Sequence, residues 1–73
     1  MKQYHLVWNI EHWKWVLKTD DDDIWLRSSY YKSIAIRKAI KYCRFRKPSM
    51  LIIHTRDGHQ EETREYHEKF LNI

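Results

Sequence analysis

The residues with the most evident chemistry are two blocks of charge. Asp20-Asp21-Asp22-Asp23 sets four carboxylates in a row, and Lys32, Arg37, Lys38, Lys41, Arg44, Arg46 and Lys47 crowd cations into a short later stretch. Several Lys or Arg on one surface are what phosphate contact requires, because each neutralised phosphate releases a counterion. Phe45 lies among those cations. An aromatic in such a patch can stack on an unpaired base or on a partner's side chain. The bland alternative is a solvated helix back whose Phe45 folds under onto the sheet. The acidic run has neither the alternating ligands nor the glycine of a calcium loop. It reads as a solvated turn, or as an acidic edge offered to a basic partner.

Other chemistry finds little material. Histidines stand at His5, His12, His54, His59 and His67, with one cysteine, Cys43. Metal sites pair their ligands at short characteristic spacings, and that pattern is missing, so no metal and no cofactor is expected. No Gly-rich phosphate loop and no nucleophile motif occurs, and Cys43 falls on an apolar helix stripe, where thiols are inert. No catalytic residue is therefore assigned, and the chain is not expected to be an enzyme. Trp8, Trp13 and Trp15 offer rings for stacking on bases, but a chain of 73 residues must bury its largest side chains, so they are expected in the core, with Trp25 the more exposed.

These groups need elements to hold them. Gln3 to Asn9 and Trp13 to Lys18 alternate in period two, with Tyr, Trp, Leu and Val at the apolar positions, a strand signature. A four-residue loop at Asn9 to His12 would pair Trp8 with Trp13, Leu6 with Trp15 and Tyr4 with Leu17, all on one face. After the acidic turn, Ile24 to Tyr31 reads as a third strand. From there the period changes: Ile36, Ala39, Ile40 and Cys43 follow the spacing of a helix stripe, and Pro48 ends a helix running from about Ser33 to Arg46. With Ile36 at zero, Arg37, Lys38, Lys41 and Arg44 fall at about 100°, 200°, 140° and 80°, and Ile34 and Phe45 at about 160° and 180°. The outward face is thus basic, with two apolar residues inside it.

Ser49 to Thr55 is a nearly continuous apolar run, as in a central strand. Asp57-Gly58 is a favoured hairpin turn, which would set His54 opposite Glu61. The tail from about Thr63 to Ile73 reads as a short closing helix, with an extended end as the alternative. The sum is one α+β domain over residues 1–73. It is a two-layer sandwich: an antiparallel sheet of four to five strands with one main helix packed on its aromatic face.

Composition bounds the setting. The net charge is +4 and the pI about 9.3, a balance suited to nucleic acid or an acidic protein surface. A lone cysteine precludes a disulfide within the chain and suits a reducing compartment. No apolar run approaches the roughly 20 residues that span a bilayer, and the polar-interrupted start does not read as a signal peptide. A cytoplasmic location without membrane contact is expected.

The segments YHLVW at Tyr4 to Trp8, WKWVLK at Trp13 to Lys18, the Ala35–Ala39 spacing, and LIIHTRDGHQEE at Leu51 to Glu62 carry a resemblance. Over about Tyr4 to Tyr66 the chain resembles the family known as domain of unknown function 2188. The resemblance implies strands flanking one helix and brings no established activity, so no functional residue is carried over. This chain departs from the family pattern in its basic helix and its acidic segment after the second strand.

The expected function is binding. The first reading is nucleic acid, DNA or RNA, held by Lys32, Arg37, Lys38, Lys41, Arg44, Arg46 and Lys47 with Phe45 as anchor. The second is a regulator resembling the small proteins that phages make to block host or defence machinery. It would use the basic helix or the Asp20–Asp23 edge. A homodimer built on an exposed sheet edge is a further option.

Overall fold

A computed structural model of the chain describes residues 1–67. The alternating stretches form strands β1 (Lys2–Asn9) and β2 (Lys14–Thr19), followed by a short β3 (Arg27–Ser29), helix α1 (Lys32–Arg44), β4 (Ser49–His54) and β5 (Gln60–Tyr66). The sheet order is β3-β2-β1-β4-β5, with α1 across one face. The expected two layers and their aromatic inner face are both present. One pair corrects the all-antiparallel expectation: β1 and β4 run parallel, so the sheet is mixed. The reason is the crossover. β3 runs antiparallel to β2, α1 carries the chain back along the sheet, and β4 must then start at the same end as β1.

The core follows from the alternation. Tyr4 and Leu6 of β1, Trp15 and Leu17 of β2, and Leu51 and Ile53 of β4 meet Ala35, Ala39 and Cys43 of the helix. Burying one Leu or Ile contributes about 1.5–3 kcal/mol, so a few such contacts carry a sheet this small. β4 has strands on both sides and buries Leu51, Ile52 and Ile53 in succession, which explains its unbroken apolar run. The residues that face the sheet most closely are the helix's small ones. Ile36, Ile40 and Tyr42 flank them, half-buried. The stripe is therefore centred on Ala35, Ala39 and Cys43, rotated from the Ile36-centred expectation, because small side chains let the helix approach the sheet.

Several boundaries shift, each for a local reason. The β1–β2 loop has four residues, but they are Ile10 to Trp13, one position later than expected. Asn9 Oδ1 accepts the His12 backbone N–H at 3.0 Å, and Trp13 takes φ 55. Trp8 then pairs with Trp15, and Leu6 with Leu17. A slip of two keeps every residue on its face. Trp13, however, leaves the core: it is 64% exposed, with its ring perpendicular to that of Trp8 at 5.7 Å between centres. It is more exposed than Trp25, which overturns the expected order.

The third strand is confined to Arg27–Ser29, since four carboxylates and the exposed Ile24 and Trp25 keep the preceding chain off the sheet. α1 ends at Arg44, two residues early. The Arg46 N–H turns to the Cys43 carbonyl at 3.0 Å, and Ser49 Oγ donates to the same carbonyl at 2.8 Å.

The final turn departs as well. Gly58 takes φ 95, and Thr55 N–H bonds the His59 carbonyl at 2.8 Å. A bulge then sets His54 opposite Gln60 and leaves Glu61 without a strand partner, so the expected His54–Glu61 pair does not form. The stretch Thr63 to Tyr66 is strand, which corrects the helical reading there; the rest of that reading, from residue 68, lies outside the described residues. Among the described residues no helix is long and apolar enough to cross a membrane.

Candidate nucleic-acid interface

The helix stripe fixes where the cations go. With Ala35, Ala39 and Cys43 against the sheet, Arg37, Lys41 and Arg44 at i, i+4 and i+7 lie on the opposite side, all exposed. No carboxylate pairs with any of them among the described residues, nor with Lys38, Arg46 or Lys47. Cations held together without local neutralisation make a positive surface.

Phe45 occupies the C-cap of α1, with φ −81 and ψ −5, and is 77% exposed. It does not tuck onto the sheet, because its backbone is still helical, with its N–H on the Lys41 carbonyl at 3.3 Å, and its side chain continues the outward face of α1. Ile34, the other apolar residue of that face, is half-buried. Phe45 stands as a ridge between two shallow grooves. One, of about 560 Å³, is lined by Arg37, Ile40, Lys41 and Arg44; the other, of about 790 Å³, by Arg27, Lys38, Lys41, Tyr42 and Arg46. Lys41 and Phe45 border both.

The second groove holds a stacked arrangement. The Arg46 guanidinium lies 3.5 Å from the centre of the Tyr42 ring, and that of Arg27 lies 5.0 Å from it. Tyr42 in turn packs edge-on against the buried Tyr4, at 5.4 Å. The core thus fixes Tyr42, and Tyr42 orients two guanidiniums. Lys38 donates to the Ser28 carbonyl at 2.9 Å, tying the groove's rim to β3. Arg27 and Tyr42 were absent from the expected site. Arg27 sits in a different element, and no spacing along the sequence links β3 to the end of α1.

Two expected cations are placed differently from the rest. Lys32, at the opposite helix end from Phe45, ion-pairs with the bulge residue Glu61 and lies over the Trp15 ring at 4.9 Å. It is neutralised and far along α1 from the grooves. Lys47 is exposed just beyond the helix and lines neither groove.

The acidic run is engaged within the chain. Asp21 pairs with Lys2 and Asp23 with Lys18, each at 3.1 Å, and Asp22 accepts the Ile24 N–H at 3.0 Å. Asp20 Oδ1 lies 2.5 Å from Nε2 of His5, though off the direction of a hydrogen bond. The other nitrogen of His5, Nδ1, is 2.9 Å from Nε2 of His54. The two histidines meet because β1 and β4 are neighbours, which was not readable in advance. Among the described residues no group of His, Cys, Asp or Glu is arranged to hold a metal ion.

Cys43 is fully buried, and burial pushes its thiol up to about 11, against a smaller opposing effect from the Ser49 hydroxyl. A thiol so placed carries almost no thiolate near neutrality.

The family described as an uncharacterised protein conserved in bacteria, DUF2188, matches residues 4–66. No curated protein and no solved structure matches the chain.

Proposed function

The chain belongs to the DUF2188 family, and because that membership brings no activity with it, we propose from the chain's own surface that it is a small non-enzymatic module that binds nucleic acid through the outward face of α1. It would do so in the cytoplasm. The observation that carries this reading is Phe45, 77% exposed between two grooves whose cations have no carboxylate partner among the described residues. Arg37, Lys41 and Arg44 would take phosphates, with Lys38, Arg46 and Lys47 at the margin and Arg27 added from β3. Phosphate contact predicts a linear fall of log affinity with log salt. Binding of the protein to random-sequence DNA and RNA across a salt series tests this. Absent binding, or binding indifferent to salt, overturns it.

A second reading, a regulator that binds another protein, draws on the opposite end of α1. There Ile10, Trp13, Tyr30 and Tyr31 are all exposed, beside the β1–β2 and β3–α1 connections. Exposed aromatics are common anchors of protein interfaces. Capture from lysate after nuclease treatment separates the two: protein retained through Trp13 and Tyr31 favours the second reading, and loss on nuclease treatment favours the first.

A further inference from the structure

We infer that the ligand of the Phe45 surface is a single strand, with one base stacked on Phe45 and its neighbour on the guanidinium plane of Arg46; this rests on the nucleic-acid reading above and names its substrate class. Three observations lead there. Phe45 stacks on no other aromatic ring among the described residues and is 77% exposed, so its ring is available to a ligand. The Arg46 guanidinium carbon lies 3.5 Å from the centre of the Tyr42 ring and Arg46 is exposed, so its guanidinium offers a second stacking group in a groove that Phe45 also borders. Guanidinium planes and aromatic rings are the two stacking partners that proteins offer to splayed bases. Finally, cations flank the ridge on both sides, Arg37 and Arg44 in one groove and Arg27 and Lys38 in the other. A strand crossing Phe45 would keep its backbone among cations before and after the stacked base.

A duplex fits this relief poorly. Its bases are already stacked and offer no free face to Phe45, and a protruding ring would hold the flanking cations away from the phosphates.

The test uses fluorescence anisotropy with four labelled probes of about 12 nucleotides, within the span that a small domain covers. They are oligothymidylate, oligouridylate, an abasic strand of equal charge and a duplex. The result expected is tighter binding of the two base-bearing strands than of the abasic strand or duplex, by about ten-fold or more, the scale of one stacked base. Phe45→Ala should remove that preference by weakening the two base-bearing strands, without weakening the abasic strand or the duplex, while Phe45→Trp restores it. Phe45 is exposed, so its truncation leaves the fold intact, which circular dichroism checks. A preference for one sugar would identify the strand as DNA or RNA. Equal affinity for all four probes, unmoved by Phe45→Ala, overturns the single-strand inference and leaves the nucleic-acid reading standing. Failure of every probe to bind overturns both.

Discussion

His5 and His54 face each other across the parallel β1–β4 pair, with Nδ1 of one 2.9 Å from Nε2 of the other. His5 also meets Asp20 at 2.5 Å, and Nδ1 of His54 lies 3.3 Å from the Gly58 carbonyl. The acidic connection after β2 and the turn after β4 are therefore joined through two rings on the sheet face that α1 leaves open. Cutting this chain should cost stability. His54→Ala is expected to lose at least as much as His5→Ala, because it removes hydrogen bonds on both sides, to His5 and to the Gly58 carbonyl, whereas His5 Nε2 makes no hydrogen bond to Asp20. Each loss should be about 1–2 kcal/mol, the scale of a part-buried hydrogen bond. Urea denaturation of both single variants and the double variant checks this. A coupling energy near zero would show that the contact does not contribute.

Cys43 should be silent as a nucleophile. At pH 8 a thiol reagent should modify it only on unfolding, since burial holds the thiol near 11. The same shift sets a pH dependence. The folded group keeps its proton above the pH at which the unfolded thiol, with an ordinary value of 9.0, loses it. Between about pH 9 and 11 the native state thus binds more protons, and stability falls as pH rises, by roughly 2–3 kcal/mol across the window. The comparison is the pH slope of the wild-type protein against Cys43→Ala, which should lack this component. Identical slopes would contradict it.

Ala39 lies on the sheet-facing stripe of α1 and is fully buried. Ala39→Leu forces added methylenes into a filled space and should destabilise by about 1–3 kcal/mol. Ser33→Leu, on an exposed position of the same helix, serves as the control and should change little. Thermal melting of both variants tells them apart.

Gly58 takes φ 95 with nothing within 4 Å of where a Cβ would stand. Gly58→Ala therefore meets no steric neighbour, and its whole cost is the left-handed backbone, about 1–2 kcal/mol. Gly58→Asn should cost less, because Asn tolerates that region better. Equal losses for the two would show that the backbone angle is not what limits the site.

The salt dependence of nucleic-acid binding should divide the basic residues. Lys41→Ala is expected to lower the salt slope by about one, as for one lost phosphate contact. Lys32→Ala should leave the slope unchanged, because its ammonium already meets Glu61. Parallel losses for the two would argue for a diffuse field rather than a site at the Phe45 end.

Much of the fold was legible because its signals are local. The alternation of Tyr4, Leu6 and Trp8, the apolar run at β4 and the stripe through Ala39 and Cys43 follow from side-chain periods of two and about 3.6. What misled was backbone chemistry at the ends. Asn9 capped a turn one residue late, Trp13 took a left-handed angle, and a bulge at Glu61 displaced the partner expected for His54. Each depends on a few local bonds that periodicity does not record.

The candidate site divides along the same line. The sequence determined that Arg37, Lys41 and Arg44 lie together and away from the core, because one helix places residues four and three apart on one side. Only the tertiary structure decided that Phe45 stands free, that Arg27 joins from β3, that Lys32 is neutralised by Glu61, and that Arg46 lies on a Tyr42 held by Tyr4. Those relations link elements far apart in the chain. They exist because the parallel β1–β4 pairing and the helix crossover bring these elements together, and no local pattern of residues specifies that meeting.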